Sequence, residues 1–270
     1  MRAKVKYWLA PGLRSVELTA ADYVAQRFSR HWHTGFAIGV VTQRAQGFHA
    51  EGREWVIGPG DVIVLNPGQV HDGYSLSSAG WSSRMAYVPE HTFCALAGGR
   101  RKAPGFPMRF KQAVVHSPVL SQCFLNWHVQ SEAVKDVRRH PLTVQLFEAL
   151  SALMHAVSPQ PALDSRAGGL REQLFDLAVR GEATVARLNR DLHLTRFGSW
   201  RRVKNELGLA PKPLLTHLRL MSAKQLLARG HPVIEAALDC GYHDQSHFSR
   251  QFAAAYGFTP AQFRSAQLAD

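Results

Sequence analysis

The spacing of apolar positions changes character near residue 113. Before it, apolar residues come in short runs broken by turn residues. Gly35-Phe-Ala-Ile-Gly-Val-Val-Thr42 is rich in β-branched residues and opens at a glycine. Gln46-Gly-Phe-His49 and Gly52-Arg-Glu-Trp-Val-Ile57 follow, closed by Gly58-Pro-Gly60. Asp61-Val-Ile-Val-Leu65 is closed by Asn66-Pro-Gly68, and Trp81 to Val88 is a further run. Short strands between turn signals predict a small β-sandwich or barrel.

Beyond residue 113 the period becomes helical. Ser117-Pro118 suits an N-cap followed by a first turn. Leu120, Cys123, Phe124 and Trp127 then recur at helical spacing. After Pro141, the residues Leu142, Leu146, Leu150, Leu153 and Val157 form a second stripe, with Phe147 and Met154 beside it. Packing onto the barrel is the plain reading of both helices, and a dimer seam is the other. Residues 158–169 carry the Pro, Gly and Ser of an interdomain linker. The expected domains are 1–157, a linker over 158–169, and an all-helical 170–270.

The last hundred residues repeat themselves. Arg201-x-Val203-x4-Gly208-Leu209-Ala210-Pro211-x2-Leu214 matches Arg250-x-Phe252-x4-Gly257-Phe258-Thr259-Pro260-x2-Phe263, each pair 49 residues apart. A helix ends at glycine, where a left-handed turn is needed, an apolar residue tucks the chain back, and proline opens the next helix. Upstream the offset is 48, so Val185 faces Val233, Asn189 faces Ala237 and His193 faces Gly241. In the second copy Ile234 and Ala237 are assigned to one helix face, Gly241 to a sharp turn, and Asp244 to the cap of a helix anchored by Phe248 and Phe252. Small crossing residue, turn glycine and capped second helix make a helix-turn-helix pattern. Gln245, Ser246, His247, Ser249 and Arg250 then fall where side chains reach base edges or phosphates. A polar-faced helical hairpin is the plainer reading, and two copies in register argue against it. The connecting helix, Pro211 to Arg229, would span ~28 Å, close to the ~34 Å of one DNA turn.

Charge changes this picture little and composition bounds it. The net charge is +12, which favours a polyanionic partner. Residues 170–270 contribute +5 and residues 1–169 contribute +7, so charge does not locate the DNA-facing surface. The composition is globular, with 46% hydrophobic and 19% charged residues. No apolar run approaches ~18 residues and no secretory signal opens the chain, so a cytoplasmic protein is expected. Cys94, Cys123 and Cys240 stand far apart, as reduced buried thiols do.

Ala223-Lys-Gln-Leu-Leu-Ala-Arg-Gly230, Ala237-Leu-Asp-Cys-Gly-Tyr-His-Asp-Gln-Ser-His-Phe-Ser-Arg-Gln-Phe252 and Tyr256-Gly-Phe-Thr-Pro260 together resemble the signature of the AraC family of bacterial transcription regulators. The resemblance covers about 100 residues. It implies two helix-turn-helix units joined by a long helix and an N-terminal domain that binds ligand and dimerises. The first unit departs from the pattern. Asn189 replaces the small residue, His193 the turn glycine and Ser199 an apolar anchor, and Gly198 lies inside the second helix, expected over about Thr195 to Glu206. Trp200 is the side chain at hand to fill the gap. Arg196, Trp200, Arg201 and Lys204 are its candidate DNA contacts.

His31-Trp-His33, Gly60-x6-Pro67-Gly68-x2-His71 and Asn66-Pro-Gly-Gln-Val-His-Asp72 resemble cupin motifs and the sensory domains joined to AraC-type regulators. On a strand His31 and His33 point the same way, and His71 could complete a three-histidine metal site. The metal-binding pattern wants Glu four or five residues past the second histidine, where Ala37 and Ile38 stand. Neither metal nor cofactor is therefore expected. His31, His33, Phe36, Ile38, His71, Trp81 and Tyr87 are the candidate effector contacts, in a pocket suited to a sugar, an amino acid or an aromatic compound. The expectation is a cupin-like barrel followed by helices, then a double helix-turn-helix domain. It would be a non-enzymatic regulator acting on double-stranded DNA, answering to a small effector, dimeric and in contact with RNA polymerase. The alternatives are a metal-dependent cupin enzyme with a helical tail, and a DNA binder whose sensor has lost its ligand.

Overall fold

A computed structural model describes residues 3–98, 108–156 and 161–269. The chain forms two compact units, residues 1–28 with 32–159 and residues 29–31 with 160–270.

The N-terminal unit opens with β1 (Lys4–Ala10), β2 (Leu13–Tyr23), β3 (Arg27–His31), β4 (Phe36–Arg44), β5 (Gln46–Ala50), β6 (Arg53–Ile57), β7 (Asp61–Leu65), β8 (His71–Ser75) and β9 (Trp81–Val88). Then come α1 (Glu90–Leu96), β10 (Met108–Phe110), β11 (Val114–His116), α2 (Pro118–Gln130), α3 (Pro141–Ala152) and β12 (Met154–Ala156). A six-stranded sheet runs β1-β2-β9-β4-β7-β11 and a four-stranded sheet runs β3-β8-β5-β6, with β10 and β12 paired apart. Ala37, Val41, Phe48, Ile57, Ile63, Leu65 and Trp81 fill the space between the sheets. The other face of the larger sheet, through Phe36, Ile38, Val40, Val62 and Val64, packs on Phe93, Phe124, Trp127, Leu146 and Phe147 of the helices. Strand β4 is thus buried on both faces, and its six-residue apolar run fits that position.

Ser117 caps α2 by accepting from the Leu120 amide, as the sequence predicts. Leu120, Phe124, Trp127, Leu146 and Leu150 are buried. Leu153 differs, since it caps α3 and is exposed, while Val157 lies outside the described residues. The expected linker also differs. Residues 158–160 lie outside the described residues, and from Pro161 the chain is helical. Proline at a helix's first turn forfeits no internal hydrogen bond, so the Pro-Gly-rich composition does not prevent this.

The C-terminal unit is all-helical: α4 (Pro161–Val179), α5 (Val185–Asp191), α6 (Arg196–Leu207), α7 (Pro211–Ala228), α8 (Val233–Asp239), α9 (Gln245–Tyr256) and α10 (Pro260–Leu268). The repeat is visible at each step. Gly208 and Gly257 end α6 and α9 in the left-handed region, at φ 72° and 83°. Leu209 and Phe258 are buried after them, and Pro211 and Pro260 open the next helices. Val203, Leu214, Phe252 and Phe263 hold matching core positions. No helix among the described residues is long and apolar enough to cross a membrane.

Candidate functional site

Helices α8 and α9 form the second helix-turn-helix. The buried face of α8 is Ala236, Ala237 and Cys240, and Ile234 is 42% exposed. Ile234 therefore does not share the face of Ala237. The two lie three residues apart, but the stripe is centred one position further round. The turn has Gly241 at φ 77°, and a Cβ there would meet the Gly181 carbonyl oxygen at 3.3 Å. Asp244 caps α9, its carboxylate accepting from the His247 amide at 2.7 Å. That hydrogen bond is the main reason the Asp244 carboxyl lies below its ordinary pKa. Phe248 and Phe252 are fully buried, so the opposite face of α9 is presented outward. Gln245, Ser246, His247 and Arg250 are exposed and Ser249 is half-buried. His247 is held from the side by the Gln251 amide at 2.9 Å, and Tyr242 donates to Gln251 at 3.1 Å.

Helices α5 and α6 form the first unit, and its substitutions leave physical traces. His193 takes the left-handed turn at φ 50° where the second unit has glycine. Histidine is among the residues that tolerate this best. The Asn189 side-chain oxygen and the Ser199 hydroxyl are both buried without a hydrogen-bond partner among the described residues. Gly198 sits in the first turn of α6, its amide donating to the capping Thr195 at 3.1 Å, so it is not mid-helix. Trp200 does not fill the gap behind Ser199. It stands 40% exposed on the outer face, beside Phe197 at 69%. Their rings are parallel within 15° at 6.4 Å. Arg201 lies 6.0 Å over Phe197 and Lys204 4.7 Å over Trp200. Arg196 is also exposed. Phe197 is absent from the sequence-derived contacts, although its i, i+3 spacing with Trp200 was readable.

The seven candidate effector contacts separate. His33 and His71 have ring centroids 5.0 Å apart, and His33 lies 4.7 Å from Tyr87. Nδ1–H of His31 donates to the Ser29 carbonyl at 2.7 Å, and that of His71 to the Gln69 carbonyl at 2.9 Å. Each bond places the ring's N–H on Nδ1 and so sets which nitrogen of the ring donates. Ala37, where a carboxylate ligand was sought, is fully buried opposite Tyr87. Burial pushes the Tyr87 phenol well above its ordinary pKa, with Glu17 adding to the effect.

Trp81 stands at the other end of β9, six residues or about 20 Å from Tyr87. It packs on Tyr23 at 4.7 Å, and its buried indole N–H has no partner among the described residues. Phe36 and Ile38 are elsewhere again, under the helices on the sheet's other face. Period-2 alternation puts them together correctly but cannot choose between two buried faces. A polar groove of about 440 Å³, which no motif announces, lies on β1, β2, β4 and β9, lined by Lys4, Lys6, Asp22, Ser82 and Arg84 among others.

A β-sandwich of this kind, followed by two capped helix-turn-helix units, defines a DNA-binding regulator with a sensory domain. The family description "AraC-like ligand binding domain" matches residues 14–167, and "Helix-turn-helix domain" matches residues 188–266. The chain belongs to the AraC family of transcription regulators. It is 24% identical to the HTH-type transcriptional regulator YbfI of Bacillus subtilis, over 83% of this chain and 82% of that protein. It is 26% identical to the transcriptional activator RhaS of Salmonella arizonae, over 88% and 87%. Its fold is similar to that of ToxT from Vibrio cholerae, with a TM-score of 0.56 at 11% identity over 95% of this chain and 100% of that one. The structure of ToxT bound to an unsaturated fatty acid matches at 0.55 and 13%, over 97% and 94%.

Proposed function

We propose that this regulator binds specific DNA through α6 and α9 and is controlled by a small effector held at the histidine-lined part of its β-domain. The observation that carries the DNA reading is α9 itself. Its N-cap and two aromatic anchors fix the helix, so Gln245, Ser246, His247, Ser249 and Arg250 meet the duplex in a set register. Arg196, Trp200, Arg201 and Lys204 serve α6. The domain 1–157 would bind effector and pair two copies of the chain, 170–270 would bind DNA, and RNA polymerase would be contacted at the promoter in the cytoplasm. The effector would be polar, since His33, His71 and Tyr87 converge as donors and acceptors. A ligand at this place changes DNA binding only through different affinities for two arrangements of the protein.

The test is Arg250→Ala in the full-length chain, titrated against a duplex selected from a random pool. A loss of about 1–3 kcal/mol of binding energy is expected, the range for an arginine that clamps DNA. Unchanged affinity, or no selected duplex at all, would overturn the reading. The nearness of the His33 and His71 rings is the observation favouring a metal-dependent enzyme. Elemental analysis decides it: one tightly held zinc or iron per chain, lost on His33→Ala, would support that alternative.

A further inference from the structure

The outer faces of α6 and α9 differ in kind. At equivalent places in the repeat, α9 carries Ser246, Ser249 and Arg250 where α6 carries Phe197, Trp200 and Arg201. Two large aromatic rings are therefore held in solvent, 69% and 40% exposed. Burying one would gain about 1.5–3 kcal/mol, yet on the core side of the same helix it is the small Ser199 that occupies the place of Phe248. The rings are also arranged. They lie parallel, and Arg201 and Lys204 sit over them. Cations over both rings, with Arg196 beside them, fit a polyanionic duplex better than an apolar protein surface.

In the major groove the one apolar group on any base edge is the C5-methyl of thymine. Resting on the reading that α6 enters DNA, we propose that Phe197 and Trp200 select their half-site by packing on thymine methyl groups, while α9 reads by hydrogen bonding. The two half-sites then differ chemically. The α6 half-site requires thymines at fixed positions, and the α9 half-site tolerates loss of any methyl.

The test selects a binding site from a random duplex pool with the full-length protein. Each thymine is then replaced by deoxyuridine, which keeps the pairing and removes only the methyl. At one or two positions in one half-site, uracil is expected to weaken binding about three- to fivefold per methyl, the equivalent of one buried CH₂-sized group. Phe197→Ala and Trp200→Ala should weaken binding to the thymine duplex and abolish the difference between thymine and uracil. Both rings are exposed, so an unchanged melting temperature is expected, and the uracil scan on the unaltered protein stands if a variant fails to fold. Uracil tolerated everywhere would overturn the proposal. So would a thymine preference that survives both substitutions, or full DNA affinity in both variants, which would assign the rings to a protein partner. If no sequence is enriched, the DNA reading itself fails; an enriched site indifferent to uracil removes only the thymine proposal.

Discussion

His193 and Gly241 turn the chain at the same place in the two repeats, and both take left-handed backbone. For glycine this costs nothing, whereas a β-branched residue is badly placed there. Gly241→Val adds the approach of its Cβ to the Gly181 carbonyl, so a loss of about 1–3 kcal/mol in urea unfolding is expected. A loss below a few tenths would show that the turn is not held as described. A second residue, His128, sits fully buried between α2 and β9. Its Nδ1 accepts from Arg84 at 3.0 Å and its Nε2–H donates to the Met85 carbonyl at 3.1 Å, so the ring is neutral. Burial pushes its pKa down to about 4 from an ordinary 6.5. Between those values the unfolded chain binds the extra proton and the folded chain does not. Stability is therefore complete above about pH 6.5 and falls as pH drops towards 4, by roughly 3 kcal/mol. His128→Gln keeps an acceptor and a donor but cannot titrate. The difference between its urea midpoints and those of the unaltered protein, from pH 7 to 4, should trace this slope; a flat difference would contradict the assignment.

Elements show which physical signals a sequence carries. Strands β4 to β7 and β9, and helices α2 and α3, were legible because apolar runs and caps coincide. Strands β1 to β3 and β8 were not. Lys4 and Lys6 give β1 the look of a charged segment, although it is an edge strand where lysine is usual. The five residues of β8, His71-Asp-Gly-Tyr-Ser75, include none that is β-branched. In the C-terminal unit the 49-residue repeat carried nearly the whole architecture. What it could not carry was Trp200, whose outward direction depends on how α6 packs. Ser199 shows the cost of the first unit's departures. Its hydroxyl is buried and unpartnered, so Ser199→Ala should stabilise the protein by about 1 kcal/mol through removal of that desolvated group. A lower melting temperature would mean that the hydroxyl is satisfied.

Across the whole molecule, the family assignment follows from both ends of the chain, while the candidate effector residues do not all meet. His33, His71 and Tyr87 meet, but Trp81 stands at the far end of β9 and Phe36 and Ile38 on the other face. The central claim concerns α7, whose 18 residues make a strut of about 27 Å between the two helix-turn-helix units. Two recognition helices so joined should enter successive major grooves on one side of the duplex. Hydroxyl-radical footprinting of the full-length protein on its selected duplex measures this directly. Two protected tracts about 10 base pairs apart on one face are expected, with Arg250→Ala weakening one of them. A single tract, or two on opposite faces of the helix, would contradict the account.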